Sequence, residues 1–352
     1  TYVVQRMTSM AAGFTLASLL VYVTVVRSGE GWRRIVGWSA IGVLYALGLG
    51  SKEIAAPLPF ALWLYEWIVG QRGDPAWARR HAAWLLPPLA LALGGFATLY
   101  DSFQAEFANR DFTMGERVLT QLRVVWLYAG LVALPLPARQ NLLHLTPTSH
   151  SLVDPPATLI AAVALLATLG FAVWLASRRP LAAFGILWFF LFLAVESSVV
   201  PLEMIYEHRV YLPLFGVCAI AADLFLRLSE RRQLPALVAA ALGLVALGAL
   251  TWQRNELWLE PDRIWADVYA KTGDDRALLS VAWAVEGRGQ RLAAQGRNRD
   301  AIVHYRQAAR IAPDYARNYR SWGESLIALG RMEGAITRFR KATELEPERW
   351  GG

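Results

Sequence analysis

The residues best suited to chemistry are cations in or beside apolar segments. Arginine and lysine bind phosphate through charge-assisted hydrogen bonds, and an ionisable residue at membrane depth is a functional candidate by default. Nearby carboxylates and a histidine could orient them. The candidate phosphate ligands are Arg6, Lys52, Arg123 and Arg209, and the supporting polar residues are Glu53, Glu207, His208 and Tyr211. The pattern predicts a site for a phosphate or pyrophosphate on a lipid carrier.

Each of these residues also has a purely structural interpretation. Lys52 and Glu53 would form a local ion pair at a helix end. The Glu207–Arg209 cluster would extend towards lipid headgroups, Arg123 would lie at the interface, and Arg6 would anchor the first helix. Because a lone histidine is more often structural, no histidine is assigned as a base.

The motifs of soluble enzymes are absent from the sequence. It contains no P-loop, no GxGxxG after a strand, no HExxH and no nucleophile elbow. Five histidines and the single Cys218 are too few for a zinc site, so no metal site is predicted and no cofactor is identified. A single cysteine also excludes an internal disulfide.

Composition places these residues in a membrane protein. Of 352 residues, 55% are hydrophobic and 18% charged, which excludes a disordered chain and argues against one soluble domain. The 15 tryptophans suit many membrane–water interfaces. Residues 1–252 are predicted to form a polytopic transmembrane domain, 253–279 a linker with a degenerate helix, and 280–352 a separate helical domain.

Eight apolar runs approach the length that a bilayer requires of a helix. They are 8–26, 35–50, 54–69, 82–100, 157–176, 181–201, 210–226 and 234–252. A ninth segment, 118–137, is interrupted by Arg123 and contains two prolines, which is more typical of a re-entrant or interfacial segment. The sequence therefore predicts an all-α fold with eight spans and one non-crossing segment.

Arginine clusters decide the topology. If 118–137 does not cross, all four clusters lie on one side, as the positive-inside rule requires. The outer face then holds 1–7, 51–53, 101–156, 202–209 and everything after 252. The net charge of +7 is thus largely topogenic, so nucleic acid is not predicted as a partner. The four clusters are Arg27 with Arg33 and Arg34, Arg72 with Arg79 and Arg80, Arg178 with Arg179, and Arg227 with Arg231 and Arg232.

The tail repeats itself at an offset of 34 residues. Small alanines let paired helices approach, and Gly296-Arg297 and Gly330-Arg331 mark a turn within each repeat. This is the tetratricopeptide pattern, with repeats at 280–313 and 314–347. Such arrays bind proteins or peptides, so the repeat surface 280–347 is the predicted partner site, although a structural spacer is an alternative. The identical pairs are Gly289/Gly323, Leu292/Leu326, Ala294/Ala328, Gly296/Gly330, Arg297/Arg331, Ala301/Ala335, Ile302/Ile336, Arg306/Arg340, Ala308/Ala342 and Pro313/Pro347.

The sequence resembles the transmembrane-and-tetratricopeptide-repeat family, whose animal members are O-mannosyltransferases and which has many bacterial relatives. The segments occur in the family's order and span nearly the whole chain. They are Tyr2–Ala12, Ser51–Glu53 with Pro57 and Leu64–Glu66, Glu116–Arg123, and Ser197–Pro201 with Glu207–Pro213.

The resemblance implies a GT-C glycosyltransferase fold with a polyprenyl-phosphate sugar as donor. It further implies transfer to a protein acceptor on the extracytoplasmic face of a bacterial inner membrane, with the repeats recruiting that acceptor. The family's catalytic Asp pair lies in a loop preceding the segment where this sequence starts at Thr1. We therefore expect a truncated, inactive fragment in which the matching residues bind donor or support structure.

Two other functions remain open. One is a non-catalytic, membrane-anchored tetratricopeptide scaffold of the cell envelope. The other is a flippase or polymerase of lipid-linked sugars. An acidic pair upstream would distinguish the transferase from the scaffold, and transfer to protein would distinguish it from the flippase or polymerase.

Overall fold

The computed structural model describes residues 6–346, and this part of the chain is helical without a strand. The predicted all-α class is confirmed for these residues. Residues 1–5, where the resemblance begins, and Pro347 of the repeat alignment lie outside the described part. Two compact units are present: the first extends to Pro135 and includes Thr146–Leu244, and the second contains Leu136–Leu145 and the residues from Val245 onward.

Within residues 6–346, nine α-helices belong to the first unit, a tenth continues from the first unit into the second, and five more follow. The first nine are α1 (Arg6–Val21), α2 (Trp32–Ser51), α3 (Leu58–Tyr65), α4 (Pro75–His81), α5 (Leu86–Phe107), α6 (Met114–Ala133), α7 (Ala157–Leu175), α8 (Pro180–Ala194) and α9 (Leu214–Arg231). The others are α10 (Gln233–Trp258), α11 (Pro261–Thr272), α12 (Asp275–Ala294), α13 (Asn298–Ile311), α14 (Ala316–Ala328) and α15 (Met332–Leu345).

In the described part of the chain, five helical segments are long and apolar enough to cross a membrane. They are Arg6–Val26, Trp32–Ser51, Pro75–Phe107, Ala157–Leu175 and Gln233–Trp258. The other three predicted runs form shorter or more charged helices: α3 has 8 residues, α8 has 15, and α9 carries four charged side chains in its 18 residues. The segment predicted at 118–137 is one continuous helix that ends at Ala133, before Pro135.

The contact between α8 and α9 depends on two glycines. A Cβ added at Gly185 would lie 2.3 Å from the carbonyl oxygen of Gly216, and one added at Gly216 would lie 2.3 Å from that of Gly185. The indole nitrogen of the fully buried Trp188 donates to the carbonyl of Leu212 at 3.0 Å. These contacts fix both ends of the segment between the two helices, residues 195–213, which we call the 195–213 loop.

The second unit contains two helix pairs in the predicted 34-residue register. Helix α12 packs on α13 and α14 packs on α15. The predicted turns are present, since Gly296 and Gly330 have φ angles of +77° and +72°, where a side chain would be strained. In each pair, an aromatic ring packs against a glycine of the preceding helix: Tyr305 on Gly289 and Phe339 on Gly323. The predicted lead-in helix corresponds to α11.

Candidate functional site

A buried carboxylate in the 195–213 loop brings two of the predicted cations together. The Nζ of Lys52 lies 2.7 Å from Oε1 of Glu196, and the Nε of Arg209 lies 4.0 Å from the same oxygen. The Glu196 side chain is 3% exposed. Lys52 reaches it from the end of α2, where the backbone becomes extended. Sequence reasoning missed Glu196, although both cations were among its candidates.

Lys52 does not form the local ion pair that was the alternative interpretation. Its carboxylate partner is Glu196, which is 144 residues away in sequence. Glu53 is exposed on the turn Glu53–Ala55 that follows α2. The predicted supporting role of Glu53 is therefore taken by Glu196.

Arg209 is buried and holds the backbone of the loop. Its side chain is 1% exposed. One terminal nitrogen donates to the carbonyl of Met204 at 3.0 Å and the other to the carbonyl of Glu203 at 2.5 Å. The guanidinium thus closes the loop onto itself, and its Nε faces Glu196.

One face of α6 supports the same loop. Positions 117, 121 and 128 share a helix face because they are spaced by 4 and 7 residues. Gln121 donates to the carbonyl of Met204 at 2.7 Å, and the Tyr128 hydroxyl accepts from the backbone N–H of Tyr206 at 3.0 Å. The sequence prediction assigned no role to this face, although the Glu116–Arg123 segment contains part of it.

Arg117 is the first residue of that face and is fully buried. Its guanidinium donates to the carbonyls of Glu196 (2.9 Å), Ser198 (3.1 Å), Leu202 (2.6 Å) and Glu203 (3.2 Å). A capping box between Thr113 and Glu116 starts α6 one turn earlier and so fixes the height of Arg117 on the helix.

Arg123 lies on a different face of α6, two residues beyond Gln121. Its guanidinium donates to the carbonyl of Pro147 at 3.0 Å and to the hydroxyl of Ser149 at 3.1 Å. The structure therefore does not bring Arg123 to Glu196 with Lys52 and Arg209. Arg123 positions the 147–149 segment instead.

Arg6 is exposed on the first described turn of α1. Alanines further along α1 pack with Ile54 and Ala55, which directly follow Lys52 and Glu53. Within residues 6–346, Arg6 has no carboxylate within ion-pair distance.

His208 lies near both cations. Burial, followed by the charges of Lys52 and Arg209, lowers the pKa of His208 to about 4. Its ring stacks on Tyr206 with centroids 5.0 Å apart. Of the other supporting residues, Glu207 is half-buried and Tyr211 is exposed.

The cluster carries an excess of positive charge. Lys52 and Arg209 share the buried carboxylate of Glu196, so two cations less one anion leave +1. The buried Arg117 donates to the backbone carbonyl of Glu196, not to its carboxylate. The nearby Arg110 and Glu203 approach to 3.9 Å and cancel each other. Since buried charge is costly unless compensated, a net positive cluster favours an anionic ligand. Among the described residues, no group of His, Cys, Asp and Glu side chains could hold a metal ion.

No known protein family, curated protein or solved structure matches the chain.

Proposed function

We propose that this chain belongs to a multi-pass membrane glycosyltransferase class of GT-C type, in a bacterial inner membrane. It binds a polyprenyl-phosphate sugar at the cluster of Lys52, Glu196 and Arg209. The sugar goes to a protein acceptor that the two helix pairs, as tetratricopeptide repeats, recruit on the extracytoplasmic side. The observation that carries the proposal is the excess of cations over carboxylates at this cluster.

Each group at the cluster has a role in that chemistry. Lys52 is the ligand that phosphate can reach, since its side chain is 17% exposed whereas that of Arg209 is 1% exposed. Glu196 orients the ammonium group of Lys52, and the buried Arg209 adds a fixed positive charge beside Glu196. Cations held in place stabilise the charge that develops on a phosphate as it leaves the sugar. A neutral His208 donates a hydrogen bond to a phosphate oxygen.

No residue of this chain is assigned as the base that activates the acceptor. The family resemblance places that role on an Asp pair in a loop preceding the matched segments. The described residues therefore account for donor binding and for support of the donor site.

The test is binding of farnesyl phosphate, measured by tryptophan fluorescence on the detergent-solubilised chain. We expect farnesyl phosphate to bind and farnesol not to bind. Lys52→Gln should weaken binding about tenfold, because it removes one charge-assisted contact to phosphate. Glu53→Gln, a change at the exposed neighbour, is the matched control and should bind like the native chain. Equal binding of farnesol, or unchanged binding in Lys52→Gln, would overturn the phosphate site.

A non-catalytic scaffold is the second candidate, and a specific observation favours it. The terminal nitrogens of Arg117 and Arg209 donate to backbone carbonyls of the 195–213 loop, as structural arginines do. A scaffold would bind a protein partner through its helix pairs, and farnesyl phosphate would not bind. The same titration therefore decides between the two candidates.

A further inference from the structure

A groove lined by arginines, which we call the arginine groove, lies between α13 and the second helix pair. Its volume is about 590 Å³. Arg306 from α13, Arg331 at the start of α15 and Arg338 within α15 form its basic wall. Trp322 and Leu326 of α14 supply an apolar surface. All five residues belong to the same compact unit.

Trp322 orders the arginines of the groove. The guanidinium carbon of Arg338 lies 3.9 Å from the centroid of the Trp322 ring, and that of Arg306 lies 6.0 Å away. A guanidinium over an aromatic face keeps its N–H edges free to donate sideways. The groove therefore presents oriented donors beside an apolar surface.

The positive charge of the groove is uncompensated within residues 6–346. Arg306, Arg331 and Arg338 have no carboxylate within 4.0 Å in this range. Glu333 is the one acidic residue among those that line the groove, so three positive charges less one negative charge leave +2. The amide groups in the first turn of α15, where no side chain caps the helix, add to the positive potential.

The first helix pair shows how the position equivalent to Arg331 is neutralised. Arg297 corresponds to Arg331 in the 34-residue register and pairs with Asp300 at 2.8 Å. Position 300 corresponds to Gly334, which has no carboxylate to offer. The first pair thus provides its own counter-ion at this turn, and the second pair leaves Arg331 available to a ligand.

We propose that the arginine groove binds an acidic segment of a partner protein. Two or three carboxylates of the segment pair with the arginines, and an apolar side chain packs against Trp322 and Leu326. Arginine matches carboxylate geometry through two parallel hydrogen bonds, which favours this ligand over a neutral peptide. The proposal deepens the partner-binding half of the proposed function and does not involve the phosphate site at Glu196.

Gly334→Asp is the decisive variant. It recreates the pairing of Arg297 with Asp300 in the second helix pair and places an acid in the first turn of α15, where it suits the helix dipole. A Cβ at this position meets only Leu326, at 3.4 Å, so the fold should be kept. Arg340→Gln is the charge-matched control, on an exposed position of α15 that does not line the groove.

The measurement is fluorescence anisotropy of a labelled Glu-Leu-Glu-Glu-Leu-Glu peptide with the full chain in detergent. We expect binding that weakens with salt, at least tenfold weaker binding in Gly334→Asp, and native binding in Arg340→Gln. Equal affinity for the Gln-Leu counterpart, or native affinity in Gly334→Asp, would overturn the proposal. The proposal would also be overturned if the chain bound phosphatidylglycerol vesicles through these arginines and did not bind the acidic peptide. Farnesyl phosphate binding is measured separately. None of the peptide or vesicle results would count for or against the phosphate site.

Discussion

At the residue scale, Glu196 is the buried carboxylate that compensates the positive charges of Lys52 and Arg209. Its carboxylate holds Lys52 at 2.7 Å and faces Arg209 at 4.0 Å. Removing one partner of a buried ion pair leaves an uncompensated charge, which costs more than the pair itself contributes. The cluster is therefore sensitive to loss of its one acid, and less sensitive to loss of either cation.

We expect Glu196→Gln to destabilise the first unit by about 3 kcal/mol, because Lys52 and Arg209 would face each other without a counter-ion. Thermal unfolding in detergent measures this change. Glu53→Gln is the control, since Glu53 is exposed although it is adjacent to Lys52. A similar loss in both variants would show that the ion pair does not carry the effect.

The stability of the first unit should fall below neutral pH because of His208. The pKa of His208 is about 4 in the folded protein, against 6.5 without the fold. Between these values the unfolded chain binds more protons, so the contribution is complete above pH 6.5 and is lost as pH falls towards 4. Unfolding of the native chain and of His208→Asn, compared from pH 4 to 7.5, should show a smaller slope in the variant.

His150 provides a control of opposite sign. Its hydrogen bond to Glu116, at 2.5 Å, raises the pKa of His150. The stabilisation is therefore complete below pH 6.5 and is lost as pH rises through the folded pKa. Since the His150 side chain is 63% exposed, the effect should be small. A His150→Asn variant with the same pH slope as His208→Asn would contradict both assignments.

Only some residues of the site could be predicted from sequence. Lys52, His208 and Arg209 stand out as polar residues next to apolar runs. Glu196 lies inside the predicted run 181–201, and its partner is 144 residues away, so no local pattern reveals the pair. An acid within an apolar run is itself a signal of function, and it would have identified Glu196.

At the element scale, α6 is the support of the 195–213 loop. Arg117 alone donates to four carbonyls there. Backbone carbonyls are present at every residue, so the sequence contains no signal for such acceptors. This is why the face of Arg117, Gln121 and Tyr128 was missed.

The contact between α8 and α9 should not tolerate a side chain. In Gly216→Ala, the new methyl group would overlap the carbonyl of Gly185, so the helices must separate at a cost of about 2 kcal/mol. Gly170→Ala in α7 is the matched control, because a Cβ there meets nothing within 4 Å. Thermal unfolding of both variants gives the comparison. Equal stability of the two would refute a tight crossing at Gly185.

At the scale of the whole molecule, the periodicity of the tail predicted the positions of turns, which composition did not. The 34-residue register located both turns of the helix pairs. The assignment of Leu136–Leu145 to the second unit had no such signal. Lys271 contacts this segment, and its Nζ donates to the carbonyls of Pro137 at 2.8 Å and Gln140 at 2.9 Å.

The topology depends on whether α6 crosses the membrane. A continuous helix of 20 residues spans about 30 Å, which would be long enough to cross. Its composition opposes crossing, because Glu116, Arg117 and Arg123 lie along it, and α6 is not among the five helices that qualify. If α6 does not cross and the eight predicted apolar runs, including 54–69, do cross, Arg33 and Arg178 lie on the same side, as the positive-inside rule requires.

Single cysteines test this in a Cys218→Ser background, which removes the one native thiol. We expect Arg33→Cys and Arg178→Cys to react with a membrane-impermeant maleimide from the same side of sealed vesicles. Glu53→Cys and Glu203→Cys should react from the opposite side. Labelling of positions 33 and 178 from opposite sides would mean that α6 crosses or that one of the eight predicted runs does not. If α6 crossed, Lys52 and the 195–213 loop would lie on opposite faces, which is incompatible with the 2.7 Å contact between Lys52 and Glu196.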